Sequence, residues 1–403
     1  MLTSIDVAAA PDTNRLVASL LRDLAAAQTS EQRRWGYKRA AAAILDLPEP
    51  LERYVESDGS LRKIPNIGPS STRVILEVLR TGRSATVDAA LAESPTRTRA
   101  DVDRRRAWRS NFLSGAQVAA ALRDPTLRGP RPSAYRGDLQ MHSTWSDGRE
   151  PIVALADACL SRGYRYCAIT DHSYGLPIAH GVSMEDLRRQ HAEIDAANAR
   201  YAGRFRVLKG IEANIRADGT LDMTEVERAD LEIVVASPHS ALRSAADQTA
   251  RMISAVQQPG VHILGHPRGR MFSSRPGIQA DWEAVFRAAA DADVAIEIDG
   301  DPSRQDIDFE LARVAVRAGC LIALDSDAHA PGELAYAEIA LAHARLAGVP
   351  SSRVINTWSL DRLLAWSAAR QAAIRSTGSA PSAPDGSDRQ RDRASRRSRG
   401  ARS

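Results

Sequence analysis

Cysteine is scarce in this chain of 403 residues, and apolar runs long enough to cross a membrane are missing. The three cysteines, Cys159, Cys167 and Cys320, stand in apolar contexts, which excludes a disulfide framework and a thiolate zinc site. No apolar run approaches the roughly 20 residues of a membrane helix. The first twelve residues lack the basic-then-apolar order of a secretory signal, so we expect a cytoplasmic protein. A dinucleotide fingerprint is also missing, and we expect no nucleotide cofactor.

The chain has a net charge of +4, and its charged residues are distributed unevenly along the sequence. Residues 1–130 carry 20 basic and 15 acidic residues, and residues 376–403 carry seven Arg and three Asp. The middle, 131–375, holds 27 basic and 32 acidic residues. Basic ends around an acidic centre suit a protein that touches a polyanion at its ends and holds cations in its middle.

The periodicity divides the chain into five segments. Apolar residues at helical spacing predict helices over 14–24, 35–45 and 70–82, the last one ending at a glycine cap. From Gly137 onwards, short β-branched runs alternate with helical stretches. We predict a flexible N-terminus (1–12), a helical domain (13–83), a linker with one helix at about 107–123 (84–133), an α/β barrel (134–372) and a disordered Arg-rich tail (373–403).

Seven strands are expected in the barrel segment. Strands that alternate with helices indicate a parallel sheet, and the missing dinucleotide fingerprint favours a closed barrel over an open one. The predicted strands cover 137–142, 164–171, 206–215, 231–238, 261–266, 294–299 and 321–327.

Histidines and carboxylates gather where these strands end. Carboxyl ends of parallel strands converge on one mouth of a barrel, and imidazoles with carboxylates are ligands that borderline divalent metals prefer. The sequence therefore predicts a metal site, whereas His180, His191, His262 and His343 are interpreted as structural. The residues at the strand ends are His142, His172, His239, His266, His329, Asp147, Asp171, Glu212 and Asp327.

The order of these motifs resembles the PHP (polymerase and histidinol phosphatase) family over about 135–370. The motifs are residues 138–148 (DLQMHSTWSDG), 169–172 (ITDH), 210–212 (GIE), 237–239 (SPH), 265–267 (GHP) and 325–329 (DSDAH). The resemblance implies a distorted, TIM-like (β/α)7 barrel that holds up to three divalent ions, zinc or manganese, and hydrolyses phosphoesters.

The resemblance also implies a role for each ligand. One ion would be held by His142, Glu212 and Asp327, a second by Glu212, His239 and His266, and a third by Asp147, His172 and His329. A metal-activated water would be the nucleophile, with Asp171 orienting His172.

The chain departs from the family where His-x-His is usual, because it has Gln140-Met141-His142. A Gln amide oxygen is a weak neutral ligand, so Gln140 is a further candidate. Two interpretations remain open, a tuned but active site and an eroded site kept for structure.

Arginines follow the His266 strand in the sequence HPRGRMFSSR. This stretch and the one from Glu297 to Arg304 resemble the PHP domains of bacterial family-X DNA polymerases. We predict that Arg270, Arg275 and Arg304 contact a substrate phosphate. The alternative is a solvated loop.

Residues 13–82 resemble the N-terminal domain of the same polymerases, with a helix-hairpin-helix signature at Ile64-Pro65-Asn66-Ile67-Gly68. Such hairpins offer backbone N–H groups to a DNA phosphate, so binding is independent of sequence. A packing module without DNA contact is the alternative. The predicted DNA contacts are Lys63, Asn66, Ile67, Gly68 and Ser70.

Two activities of the polymerase family are not expected. Val74 stands where some relatives carry a lyase lysine, and Ser70–Gly82 contains no Lys. The 50 or so residues before the barrel leave no room for a polymerase palm, although Asp101-Val102-Asp103 is an Asp-x-Asp.

Three functions remain after this reasoning. The leading hypothesis is a metal-dependent phosphoesterase acting on DNA ends in repair, as a 3′-5′ exonuclease or 3′-phosphatase. The second is a small-molecule phosphatase of histidinol-phosphate or nucleotide type. The third is a non-catalytic DNA-binding protein.

Overall fold

The computed structural model describes residues 12–377, and its first part is helical. Each helix begins at a residue suited to cap it: Asp12, Ser30 and Ser84 accept hydrogen bonds from backbone N–H groups of the first turn, and Pro69 follows Gly68. The helices pack around one apolar core. They are α1 (Thr13–Ala27), α2 (Glu31–Leu45), α3 (Pro69–Thr81) and α4 (Ala85–Ala92).

The hairpin that precedes α3 forms as predicted. Asn66 has a left-handed backbone with φ of 63°, a conformation that Asn tolerates better than most residues. Gly82, with φ of 71°, caps the end of the helix. Val74 is fully buried in the core of this domain, so its side chain has a packing role.

The segment between the helical domain and the barrel is not a linker with one helix. It contains α5 (Thr96–Trp108) and α6 (Gly115–Arg123), in addition to α4, which packs on the helical domain. The predicted helix over 107–123 is interrupted because Asn111 adopts φ of 59° and Ser114 starts a new helix as its cap. The segment is tied to both neighbours: Arg109 donates to the buried Asp23 of α1 at 2.7 Å, and Leu113 N donates to Gln305 of the barrel domain at 2.7 Å.

Residues 137–325 form a seven-stranded parallel sheet in the order β1 to β7, and all seven predicted strands are present in shorter form. A bridge between Met141 and Ala328 brings the two edges together, so the barrel is nearly closed. The strands are β1 (Gly137–Asp138), β2 (Tyr166–Ile169), β3 (Arg206–Asn214), β4 (Ile233–Ser237), β5 (Ile263–Leu264), β6 (Ala295–Asp299) and β7 (Leu321–Asp325).

Helices surround the barrel and close one of its ends. The surrounding helices are α7 (Ile152–Ser161), α8 (Met184–Tyr201), α9 (Glu225–Arg228), α10 (Thr249–Val256), α11 (Trp282–Asp291), α12 (Phe309–Ala318) and α13 (Ala337–Ala347), and α14 (Leu360–Thr377) follows them.

The inward-facing residues of the barrel divide into an apolar and a polar layer. Ile233, Val235 and Ala323 lie in one cluster with Trp358 and with Trp366 of α14, so this helix covers the end where the strands begin. Side chains alternate along a strand, and further along the same inward faces stand the acids and histidines of the predicted site. The barrel is therefore filled at one end and polar at the other.

The described residues place two limits on the predicted segments. Helix α14 runs to Thr377, so the first residues of the predicted disordered tail are helical, whereas 378–403 and 1–11 lie outside the described residues. None of the helices within 12–377 is both long and apolar enough to cross a membrane.

Candidate metal centre

Glu212, near the end of β3, lies at the centre of the polar layer. It is 1% exposed, and its carboxylate lies close to four imidazoles. Oε1 is 2.8 Å from Nε2 of His266 and 3.4 Å from Nε2 of His239. Oε2 is 2.8 Å from Nδ1 of His172 and 3.5 Å from Nε2 of His142. Four rings from four separate strand ends therefore share one carboxylate.

A second group of the predicted ligands surrounds Asp147. Its oxygens lie 3.6 Å from Nε2 of His172, 3.4 Å from Nε2 of His329 and 4.0 Å from Nδ1 of His142. Ligand atoms of these four residues all lie within 4.8 Å of one another, as do those of His172, Glu212 and His239. Asp327 completes the cluster, with Oδ1 at 2.9 Å from Nε2 of His142. The structure thus brings together all eight predicted His, Asp and Glu ligands.

Opposite charges inside the cluster control its protonation. Burial alone would lower the pKa of His172, but the carboxylates of Glu212 and Asp147 raise that pKa to about 10. In the same way, Asp147 and Asp327 outweigh burial and raise the pKa of His329 to about 9. Burial would raise the pKa of Glu212, yet the His172 and His239 rings hold it well below its usual range. Protons on His172 and His329 thus balance the carboxylates, a role that cations can take.

Several buried polar atoms of this cluster make no hydrogen bond within the described residues. Nδ1 of His142 and Nδ1 of His266 are among them, and so are both amide atoms of the fully buried Gln140. Oε2 of Glu212 lies 2.8 Å from Nδ1 of His172 but not in hydrogen-bonding geometry. Leaving buried donors and acceptors unsatisfied costs roughly 1–3 kcal/mol each. A group of such atoms on imidazole, carboxylate and amide side chains fits divalent metal ions, which would bind their lone pairs.

Asp171 does not orient His172, contrary to the sequence-based prediction. Its carboxylate accepts hydrogen bonds from Ser143 N at 2.8 Å, Ser146 Oγ at 2.5 Å and Gln190 Nε2 at 2.7 Å. The buried Asp171 therefore fixes the loop that follows His142 and that carries Asp147. Asp171 follows β2, which pairs in parallel with β1, so it lies beside the loop after β1. The local motif does not indicate this neighbour.

Sequence reasoning missed two groups that hold the ligands. Asn214, the last residue of β3, lies 3.3 Å from Nδ1 of His239 through its Oδ1. Glu297 of β6 accepts a hydrogen bond from the backbone N–H of His266 at 2.5 Å. The available signals were a polar residue at the end of a strand for Asn214 and an acid inside an apolar strand for Glu297.

Two predicted ligands have backbones in the left-handed region. His266 has φ of 23° and Asp327 has φ of 52°. Such conformations cost of order 1–3 kcal/mol for residues other than glycine and collect at functional sites. The fold therefore holds these two side chains in place at a cost in stability.

Arg270 does not contact the mouth, which contradicts its predicted role as a substrate residue. Its guanidinium is 1% exposed and lies over the Phe112 ring at 4.1 Å. It donates to Ser110 O at 3.0 Å, Gln305 O at 2.7 Å and Asp308 Oδ2 at 3.0 Å. Arg270 therefore fastens the connecting segment to the barrel.

Arg304 does reach the predicted metal ligands. Nη1 donates to Asp327 Oδ2 and lies 3.5 Å from Asp299 Oδ2. Arg275 is intermediate between the buried Arg270 and Arg304, which contacts the cluster. It is half-buried, and its Nε donates to Gly269 O at 2.5 Å. Of the three predicted phosphate contacts, Arg304 is the one with a side chain in the cluster.

The predicted DNA contacts lie together at the exposed start of α3. Lys63, Gly68 and Ser70 are exposed, and Ile67 is half-buried. Asn66, Gly68 and Ser70 border a cavity of about 450 Å³ together with Arg33 and Tyr37 of α2. The hairpin therefore presents an open surface with a cation beside it.

The Asp-x-Asp of the connecting segment belongs to a helix surface. Asp101 pairs with Arg104 and Arg105 at 2.6 Å each, and Asp103 lies 3.4 Å from Arg106, all within α5. Among the described residues, this pair has no sheet beneath it.

The histidines interpreted as structural include two that are fully buried outside the cluster. Nδ1 of His262 accepts from Val234 N at 3.0 Å, and Nδ1 of His343 accepts from Phe309 N at 3.1 Å. Burial lowers the pKa of each to about 3. Both are neutral hydrogen-bonding residues of the core, as predicted.

Imidazoles and carboxylates that converge at one mouth of a parallel barrel define a candidate divalent-metal site at the end where α/β barrels carry their active sites. The probable phosphatase YcdX of Escherichia coli (strain E24377A) is 31% identical over 243 residues, which cover 57% of this chain and 93% of that protein. Residues 12–84 match the helix-hairpin-helix domain family. The chain belongs to the PHP family of phosphoester hydrolases and carries a helix-hairpin-helix domain in front of its barrel.

Two further similarities concern larger or more distant proteins. DNA polymerase/3'-5' exonuclease PolX of Bacillus subtilis is 38% identical over 226 residues, which are 56% of this chain and 40% of that protein. The chain thus spans less than half the length of this relative. A solved structure of histidinol phosphate phosphatase from Lactococcus lactis, complexed with zinc, L-histidinol and phosphate, has a TM-score of 0.40 and 17% identity over 52% of this chain and 94% of that one. That similarity is too low to support a conclusion.

Proposed function

We propose that this protein is a metal-dependent phosphoesterase that removes nucleotides or phosphate from the 3′ ends of DNA. The observation that carries the proposal is the buried Glu212 carboxylate, which lies among four imidazoles at the barrel mouth of a chain that also has a helix-hairpin-helix domain. Similarity to a protein named as a 3'-5' exonuclease supports the choice of DNA as the substrate.

The proposed ligands divide into three sets around this carboxylate. One ion would be held by His142, Glu212 and Asp327, a second by Glu212, His239 and His266, and a third by Asp147, His172 and His329. Zinc or manganese bound there supplies Lewis acidity for the phosphoryl group and lowers the pKa of water. Within each set, a carboxylate oxygen lies 2.8–3.6 Å from the ring nitrogens, which supports the division. His172 also lies 2.8 Å from Glu212, so the third set adjoins the other two.

Other side chains of the chain prepare the site for a phosphoester. Arg304 places a guanidinium beside Asp327, where it can bind a phosphate oxygen. Asn214 holds the His239 ring, and Asp171 holds the loop of Asp147. These contacts fix the groups before substrate arrives, which limits the cost of reorganisation.

The helical domain would bring DNA to this mouth. The start of α3 offers backbone N–H groups after Gly68, and Lys63 and Ser70 are exposed beside it. A phosphate at a helix N-terminus is stabilised by those N–H groups and by the helix dipole.

A small-molecule phosphatase is the second candidate. The observation in its favour is that the relative covered to 93% of its length is named a phosphatase. Such an enzyme would hydrolyse phosphate monoesters and leave oligonucleotides intact. A non-catalytic DNA-binding protein would do neither.

The test compares the wild type with His239→Ala on a 3′-labelled oligonucleotide in the presence of Mn²⁺. We expect the wild type to release the label and His239→Ala to lose the activity. His180→Asn is the control, because His180 is exposed and lies outside the cluster. Retained activity in His239→Ala would contradict the metal cluster, and an inactive wild type that turns over a phosphate monoester would favour the second candidate.

A further inference from the structure

A cleft of about 890 Å³ lies between helix α5 and the loops at the barrel mouth. Sites for drug-sized ligands occupy about 300–1,000 Å³, so this cleft has room for more than a small phosphate monoester. Its charged lining is dominated by four arginines, Arg104, Arg105, Arg243 and Arg268, against the single carboxylate of Asp101. The cleft is therefore electropositive.

The arginines come from elements that meet only in the folded protein. Arg243 follows the ligand His239 by four residues, and Arg268 follows His266 by two. Both lie in loops at the carboxyl ends of their strands, which is the end that holds the proposed metal ligands. Arg105 of α5 donates to Ser273 O at 2.9 Å and so fixes the helix against this end.

Two of these guanidiniums remain accessible. The Arg104 side chain is 61% exposed, although it pairs with Asp101. Arg243 is exposed and has no hydrogen bond or ion pair to any other residue of the described part of the chain. Arg268 is more constrained, since it lies 3.3 Å from Asp308 and is 25% exposed. An exposed arginine without a partner is free to bind a phosphate.

An aromatic ring stands among the cations. Trp108 lines the cleft, is half-buried, and has the guanidiniums of Arg104 and Arg105 at 5.8 and 5.9 Å from its ring. Grooves that bind single strands combine a positive lining with aromatic rings on which bases stack. The lining of this cleft has both components.

Arg275 connects the cleft with the metal cluster. Its chain neighbours Ser274 and Pro276 line the cleft, and Phe272 N of the same loop donates to Ser303 O, next to Arg304, at 2.8 Å. Arg243 lines the cleft, whereas Arg304 contacts Asp327. A row of guanidiniums thus leads from α5 to the proposed metal ligands.

We propose that a single strand of DNA lies in this cleft, with its phosphates on Arg104, Arg243 and Arg268 and a base on Trp108, so that its 3′ end reaches the barrel mouth. This proposal rests on the proposed function for the reaction, but binding of the strand can be measured separately. It also gives helix α5 a role as one wall of the substrate path.

The test measures binding of a labelled 12-nucleotide strand with phosphorothioate linkages to the full chain by fluorescence anisotropy. We expect Arg104→Gln/Arg243→Gln to weaken binding at least tenfold and to reduce the slope of log K against log salt by about 1.4, because single strands contribute about 0.7 for each phosphate contact. Trp108→Ala should weaken binding about fivefold or more with an unchanged slope.

The control variant is Arg189→Gln/Arg287→Gln. These side chains are 67% and 60% exposed, and each pairs with an acid of its own helix, as Arg104 does. We expect wild-type affinity and slope, with melting temperature and metal content checked for every variant. Unchanged binding in Arg104→Gln/Arg243→Gln, or an equal loss in the control, would overturn the cleft. Loss of binding in that variant together with an inactive wild type would support the cleft and overturn the DNA-end activity.

Discussion

At the scale of single residues, Glu212 is the side chain on which the proposed metal centre depends most. One buried carboxylate lies within 3.5 Å of four imidazoles, which is consistent with the proposal that Glu212 would hold two ions. Buried charges are retained when partners compensate them, and here the partners are rings that also offer lone pairs. The proposed chemistry therefore depends on a residue that is almost completely buried.

We expect Glu212→Gln to lower phosphoester hydrolysis by about 10³-fold or more, because loss of metal-ion stabilisation costs several kcal/mol and each 1.36 kcal/mol is a factor of ten. The near-isosteric amide preserves the shape of the site. Steady-state rates and bound metal per chain are the measurements, with circular dichroism as a check of folding. Turnover near that of the wild type would contradict the role of Glu212 as a bridge.

Gln140 provides a second prediction at this scale. Both of its amide atoms are buried without a hydrogen bond, and the family usually has His at this position. Gln140→His should tighten binding of the first metal ion by about tenfold, because an imidazole nitrogen is a stronger ligand than an amide oxygen. Competition with a chelator measures the affinity. If the affinity is unchanged, position 140 is not a ligand.

At the scale of elements, the connecting segment is part of the structure of the barrel. Leu113 exchanges two hydrogen bonds with the side chain of Gln305, at 2.7 and 3.0 Å, and Arg270 binds Ser110 O. Helices α5 and α6 are thereby held at the mouth. The arginines after His266 divide accordingly, with Arg270 used for packing and Arg304 directed to the cluster.

This division predicts opposite effects of two substitutions. Arg270→Met should destabilise the fold by about 3–5 kcal/mol, because it removes a buried partner of Asp308. Arg304→Gln in the metal-loaded protein should lower kcat/KM about 100-fold with a smaller shift in Tm. Urea unfolding and steady-state kinetics measure both. A loss of activity without a loss of stability in Arg270→Met would show that this side chain reaches substrate after all.

At the scale of the whole molecule, the two ends of the barrel differ. One end is filled with apolar side chains, and the other holds the polar side chains of the proposed metal centre. Trp358 and Trp366 fill the end where the strands begin, and the ligands occupy the other end. Two buried neutral histidines make the free energy of unfolding depend on pH. His262 and His343 each have a pKa of about 3 in the folded chain, against about 6.5 when unfolded.

Because folding lowers the pKa of both histidines, they contribute fully to the free energy of unfolding above about pH 6.5. This contribution is lost as the pH falls from about 6.5 towards 3. Each histidine accounts for about 1.4 kcal/mol per pH unit in that window. In His343→Asn, Oδ1 can still accept from Phe309 N but does not titrate. We expect the stability difference between wild type and variant to shrink by about 1.4 kcal/mol from pH 7.5 to 5.5, as measured by urea unfolding. An equal difference at both pH values would contradict the assignment.

The sequence by itself determined the seven parallel strands, the hairpin with its left-handed Asn66 and the polar side chains that gather at the barrel mouth. These features depend on local signals: short β-branched runs, a turn residue, and polar residues at strand ends, which parallel topology must bring together. The same local signals predicted a single helix in the connecting segment, which is wrong. The helix is interrupted at Asn111, whose left-handed backbone conformation the local sequence does not indicate.

Tertiary structure alone decided which of the polar side chains face the site. Arg270 and Arg304 have equivalent sequence signals, yet one is buried over Phe112 and the other contacts Asp327. Asp171 follows the motif but holds the neighbouring loop, and Arg104 meets Arg243 across 139 residues of chain. Such pairings depend on how distant elements pack, since the direction of a long side chain is fixed by its neighbours in space and not by those in sequence.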